Sequence, residues 1–131
     1  MLILVADEDK EYAEITAELM RHAGYEVVTE ESASSAIRTA KIRRPDVVML
    51  SVTLSSGLGR QVCQELTALD PDLPVVLLSN RRRPEDVTDA FDAGAADYIT
   101  KPFHPQELTA RVGALVARRA AMTGAEELYA A

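Results

Sequence analysis

The sequence predicts an α/β fold, a doubly wound parallel sheet of five strands with helices on both faces. Three observations predict it. Short apolar runs alternate with amphipathic segments five times over, which is the pattern of consecutive βα units. The first, third and fourth runs are continuously apolar (Leu-Ile-Leu-Val-Ala, Val-Val-Met-Leu and Val-Val-Leu-Leu), as strands covered on both faces must be. Glycines and prolines fall at the junctions between the two periodicities, where helices stop and start.

Taken in order, Leu2 to Ala6 reads as the first strand. A helix follows, with Tyr12, Ile15, Leu19 and Ala23 forming its apolar stripe, and Gly24 stands at its C-cap. Glu26 to Thr29 is the second strand, and Ala33, Ala36, Ile37 and Ala40 mark the second helix. Asp46 to Ser51 is the third strand, after Pro45. Leu58, Val62, Leu66 and Leu69 mark the third helix, and Pro74 to Ser79, behind Pro71, the fourth strand. The fourth helix is short: it starts at Pro84, carries Val87, Ala90 and Phe91, and ends before Gly94. Acidic residues after Pro84 suit a helix N-terminus. Asp97 to Thr100 is the fifth strand, and Pro105 opens a fifth helix with Leu108, Val112, Leu115 and Val116 on one side. One domain over 1–119 is expected, followed by a tail over 120–131, small and polar with Glu126 and Glu127, that reads as a frayed end or the start of a linker.

Composition narrows the function. A chain of 131 residues can bury roughly two thirds of its unfolded surface, so it folds without disulfides or metal. Apolar residues make up 47% and charged residues 27%, an ordinary globular balance. The net charge of −7 argues against a nucleic-acid footprint on this segment. Cys63 is the single cysteine, so no disulfide framework exists; it adjoins an apolar stripe and reads as packing. The apolar N-terminus is short and lacks a basic flank, and no run approaches the roughly 18 apolar residues of a membrane span. A cytoplasmic location, with no membrane partner, is the expectation.

In an open parallel sheet, ligands bind beyond the carboxyl ends of the strands. The residues found there are Asp7-Glu8-Asp9, Ser51 with Thr53 two places on, Ser79-Asn80 and Thr100-Lys101-Pro102-Phe103. Carboxylates, hydroxyls and one lysine thus converge on one rim. Hard oxygen ligands suit Mg²⁺, and a lone lysine beside them suits a phosphoryl group.

An acidic pair closing the first strand, Pro45-Asp46 opening the third, and the run Gly94-Ala95-Ala96-Asp97-Tyr98-Ile99-Thr100-Lys101-Pro102-Phe103 together resemble a response-regulator receiver domain, the CheY-like module that accepts a phosphoryl group from a histidine kinase. The resemblance runs from about Leu2 to Arg119. It implies a flavodoxin-like (βα)5 sheet of strand order 2-1-3-4-5, with the first and fifth helices sharing a face. It also implies a cis Lys101–Pro102 bond that aims the lysine inward. Carried over by position, it makes Asp7 and Glu8 the acid pair, Ser79 the hydroxyl switch, Tyr98 the aromatic switch and Lys101 the phosphoryl-contact lysine. Mg²⁺ would sit at Asp7, Glu8 and Thr53. The phosphoacceptor position falls on Ser51, where the family carries Asp; Glu8 stands where its second acid is normally Asp, and the usual proline of the next loop is absent from Leu54-Ser55-Ser56-Gly57.

Those departures have chemical consequences. A serine hydroxyl is protonated at neutral pH and needs a base to become a nucleophile, and neither His22 nor His104 lies on this rim in sequence terms. Asp7, Glu8 and Lys101 sum to −1 where a third carboxylate would make −2, so Mg²⁺ should bind weakly. The expected function is a phosphorylation-independent receiver, not an enzyme, that acts through protein–protein contacts in transcription regulation. A histidine kinase or an effector domain is the expected partner. The face of the fourth helix, fifth strand and fifth helix, carrying Asp97, Glu107, Arg111 and Arg118, resembles a family homodimer surface, with Ala96 in place of one paired acid. The alternative is a receiver that catalyses its own phosphotransfer, with Ser51 an unconventional or engineered acceptor.

Blander readings stand beside these. Asp7, Glu8 and Asp9 would suit any helix N-terminus, and Ser51 could cap its own turn. Arg81-Arg82-Arg83 is ordinarily a solvated loop, and Gly57-Leu58-Gly59 lacks the frame of a phosphate cradle.

Overall fold

The computed structural model describes the backbone of residues 1–130 and the side chains of residues 1–122. Its strands are β1 (Leu2–Ala6), β2 (Glu26–Glu30), β3 (Val47–Ser51), β4 (Val75–Ser79) and β5 (Asp97–Thr100). Its helices are α1 (Lys10–His22), α2 (Ala33–Arg43), α3 (Gly59–Leu69), α4 (Pro84–Asp92) and α5 (Pro105–Ala130). All strands pair parallel in the order β2-β1-β3-β4-β5, the expected topology. The expected tail continues α5 as helical backbone to Ala130, while the side chains of 123–131, with Glu126 and Glu127, lie outside the described residues. Among the described residues no helix is long and apolar enough to cross a membrane.

Alternation along the strands divides the core in two. Leu4, Val48, Leu50, Val75 and Leu77 point to one face, where Ala36 and Ala40 of α2, Val62 and Leu66 of α3 and Ala90 of α4 cover them. Ile3, Val5, Val47, Met49, Val76 and Leu78 point to the other, under Ala13 and Met20 of α1 and Leu108 and Val112 of α5. Helices α1 and α5 therefore share a face, as expected. All five residues of β3 and of β4 are buried, which is why these runs are unbrokenly apolar.

Several helix faces differ from their sequence-predicted stripes. In α1 the buried set is Ala13, Thr16, Ala17 and Met20, whereas Ile15 is 54% exposed and Ala23 is in solvent. Small residues let the helix lie close to the sheet, so they take the inner face although they are less apolar than isoleucine. In α3, Val62, Cys63 and Leu66 are buried while Leu58 and Leu69 are 39% and 59% exposed; in α4, Phe91 is 47% exposed. Strand boundaries shift by one residue: β3 begins at Val47 because the Asp46 carboxylate turns away to accept from the Leu2 N–H at 2.8 Å. Gly94 ends α4 with φ 97°, and a Cβ there would stand 2.6 Å from Thr67 Oγ1, so only glycine meets both demands.

Candidate functional site

The carboxyl ends of β1, β3, β4 and β5 meet in an open cleft of about 580 Å³, lined by Asp7, Glu8, Tyr12, Ser51, Ser79 and Lys101 among others. Strand pairing sets the spacing, because Ser51 lies beside Leu78 and Ser79 beside Thr100 in the ladders. A cis bond between Lys101 and Pro102 turns the chain at the end of β5, and the Lys101 amide donates to the Ser79 carbonyl at 2.7 Å.

Lys101 reaches the acidic rim. Its ammonium donates to Asp7 Oδ2 at 2.7 Å and to Ser51 Oγ at 3.3 Å. Asp7 and Ser51 are only 2% and 1% exposed, so the pair sits where screening is weak. The other Asp7 oxygen accepts from the Asp9 amide at 3.0 Å. Ser51 Oγ also shares a hydrogen bond with Thr53 Oγ1 at 2.9 Å. Among the described residues no buried side-chain polar atom lacks a partner.

Tyr12 was legible in the sequence only as a stripe residue, yet it belongs to this site. Its ring lies 4.4 Å from the Lys101 ammonium, close enough for a cation–π contact. Phe103 meets it edge-on, with centroids 5.5 Å apart at 82°. Burial pushes the Tyr12 phenol above its ordinary value; a backbone hydrogen bond at Phe103 opposes this, and the charges of Asp7 and Asp9 add to it. A signal existed: Asp9 caps α1 by accepting from the Tyr12 amide at 3.1 Å. A side chain three residues past an N-cap stands in the mouth of the helix.

The remaining expected residues divide. Glu8 is exposed and Thr53 likewise. Ser79 Oγ accepts from the Arg81 amide at 3.1 Å, and Tyr98 Oη donates to the Arg81 carbonyl at 2.6 Å. The backbone of a single residue therefore holds both expected switch side chains, and sequence could not place it because any residue type supplies those groups. Away from the cleft, Arg111 Nη1 donates to both Asp97 oxygens at 2.9 and 3.0 Å, and its Nε donates to Glu107 at 3.0 Å. Arg118 is exposed. Burial pushes the Cys63 thiol up to about 11, as suits packing.

Serine activation needs a base, and the nearest cationic nitrogen is committed as a donor. The Lys101 ammonium gives hydrogen bonds to Asp7 and to Ser51, so it cannot also take the hydroxyl proton. One Asp7 oxygen accepts from Lys101 and the other from a backbone amide. With Ser51 neutral, Asp7 and the exposed Glu8 are the rim carboxylates that would hold Mg²⁺.

A doubly wound sheet of order 2-1-3-4-5 with an acid, two hydroxyls and an inward lysine on its carboxyl rim defines a class, and the comparisons agree. Residues 3–113 match the model for the response regulator receiver domain. The chain belongs to that family. It is 38% identical over 121 residues to the probable transcriptional regulatory protein TcrX of Mycobacterium tuberculosis, covering 92% of this chain and 52% of that protein. It is 37% identical over 116 residues to the DNA-binding response regulator MtrA of Mycolicibacterium smegmatis, covering 88% and 50%. The chain thus spans about half the length of the curated relatives it matches. Among solved structures, a putative response regulator from Chloroflexus aurantiacus superimposes with a TM-score of 0.83 at 33% identity, covering 88% of this chain and 97% of that one.

Proposed function

We propose that this chain is a phosphorylation-independent receiver, a non-enzymatic module that signals through protein–protein contacts. The observation that carries the reading is Ser51, which closes β3 in the place where the family frame puts its acceptor aspartate. An acyl phosphate requires a carboxylate there, and a hydroxyl that accepts from a lysine ammonium at 3.3 Å is a poor nucleophile. The commitment of Asp7 to Lys101 supports the same reading, since it leaves Mg²⁺ weakly held at Asp7, Glu8 and Thr53.

Without a phosphoryl group, the states of Ser79 and Tyr98 are set by whatever binds one arrangement better than the other. The surface of α4, β5 and α5 is the proposed contact, for a histidine kinase, for an effector domain of a cytoplasmic transcription regulator, or for a second copy. On that face Arg111, Asp97 and Glu107 already pair within the chain, so Arg118 is the cation left to cross a two-fold axis.

The test is direct. Acetyl phosphate or beryllofluoride with Mg²⁺ should leave the intact mass and the amide spectrum unchanged. Ser51→Asp should raise Mg²⁺ affinity in the same experiment. Stoichiometric phosphorylation of the unaltered protein would overturn the reading in favour of a receiver that catalyses its own phosphotransfer.

A further inference from the structure

At the opposite end of the sheet, α2, α3 and the start of β3 enclose a second cleft of about 440 Å³. Its walls are apolar, with Leu66 and Leu73 inside and Leu69 59% exposed on the lip. Its rim is basic: Lys41 and Arg44 line it beside Arg119, which pairs with Asp70 at 2.7 Å. Arg38, one helical turn before Lys41, extends the charge along α2. Among the described residues no ion pair or hydrogen bond engages the side chains of Arg38, Lys41 or Arg44, whereas Arg43 between them pairs with Glu26.

Arg44 closes α2 with φ 48° and ψ 67°, a left-handed helix cap. On a chain of net charge −7, a cationic apolar cleft is the exception, and it fits an acidic surface with an aliphatic anchor.

This chain carries such a surface. On α1, Ile15 is 54% exposed, and Glu11, Glu14 and Glu18 surround it on the helix. Arg21 takes up part of that charge through Glu14 at 3.8 Å and Glu18 at 2.8 Å; three glutamates against one arginine leave the face acidic.

We infer that the cleft binds the α1 face of a second copy, with Ile15 entering between Leu66, Leu69 and Leu73 while Lys41 and Arg44 meet the glutamates. The two patches belong to helices on opposite faces of the sheet, so one partner does not engage both and the contact is head-to-tail. It does not close at two copies, unlike a two-fold dimer through α4, β5 and α5. Exposed charges on both sides carry the contact, so the association depends on salt and concentration.

Sedimentation velocity over a concentration series tests this. The unaltered protein should gain mass with concentration past the dimer, and added salt should reverse the gain. The double variant Lys41→Glu/Arg44→Glu should weaken association about tenfold or more, and Glu14→Lys/Glu18→Lys should do the same, since like charges then face each other. Mixing the two variants should restore it, because each now offers the complement of the other. A protein that stays monomeric throughout, or variants that associate like the parent, would overturn the inference. So would a dimer lost only when Arg118 is replaced, a result that leaves the proposed function standing.

Discussion

At the carboxyl ends of the strands, Asp7, Ser51 and Ser79 are buried and each side chain has a partner. At the amino ends, Lys41 and Arg44 stand in solvent beside an exposed Leu69. The same sheet thus carries one end where Asp7, Ser51 and Ser79 are enclosed and satisfied within the chain and one where Lys41 and Arg44 are satisfied by solvent. A buried charge is costly without its counter-ion, so at the first end a substitution acts on folding. At the second, solvent already satisfies the groups, and a substitution should act on association alone. Removing charge at Lys41 or Arg44 is thus expected to leave stability within about 0.5 kcal/mol.

The largest break in that comparison comes from crowding at the carboxyl end. A Cβ on Gly59 would overlap the Ser51 carbonyl oxygen and come within 2.7 Å of Val52 Cα. Both obstacles are backbone, which cannot rotate away as a side chain can. Gly59→Ala should therefore cost about 3 kcal/mol, read as a lower urea midpoint with an unchanged slope. A variant as stable as the parent would mean that the loop after β3 can shift as a body.

Lys101→Met comes next. It leaves the Asp7 carboxylate buried without its ammonium and strips the Tyr12 ring of its cation. Breaking a buried pair costs about 3–5 kcal/mol; because Lys101 opens onto the cleft, with its side chain 14% exposed, about 2 kcal/mol is expected. The variant also frees an Asp7 oxygen, so millimolar Mg²⁺ should recover part of the lost melting temperature, whereas the unaltered protein should respond less. Equal responses in the two proteins would show that Lys101 does not compete with the cation.

Why the rim was legible and its neighbours were not follows from where the information lies. Each rim residue closes or directly follows a strand, so finding the strands also found Asp7, Ser51, Ser79 and Lys101. Continuous apolar runs are forced by burial on both faces, and the caps at Gly24 and Gly94 are forced by positive φ. The orientation of α1 is different, because two stripes share the helical period. Ala13 and Met20 pack with Ile3 and Val5, although the competing stripe of Tyr12, Ile15 and Leu19 offers larger side chains. The Arg81 latch on Ser79 and Tyr98 is carried by backbone groups, which leave no trace in residue type. The cis bond before Pro102 came from family resemblance, whereas the reach of Lys101 to the acidic rim followed from its place at the end of a neighbouring strand.

The smallest effect separates strain from purpose in the turn that leads from the site into α3. Ser55 and Ser56 hold φ values of 50° and 63° ahead of Gly57 at 107°, so three successive residues are left-handed, and the two serines are each disfavoured by about 1 kcal/mol. Their side chains differ in employment. Ser55 Oγ accepts from the Ala33 amide at 2.8 Å and so anchors the turn to the first residue of α2. Ser56 is exposed, and none of the hydrogen bonds described involves its side chain. Glycine relieves the strain at either position, but only at Ser55 does it remove a bond worth about 1 kcal/mol. Ser56→Gly should therefore raise stability by about 0.5–1 kcal/mol, while Ser55→Gly should come out near zero, both measured as urea midpoints. If the two variants shift alike, the bond to Ala33 carries no net energy. The left-handed turn would then be held by the packing of Leu54, which is fully buried.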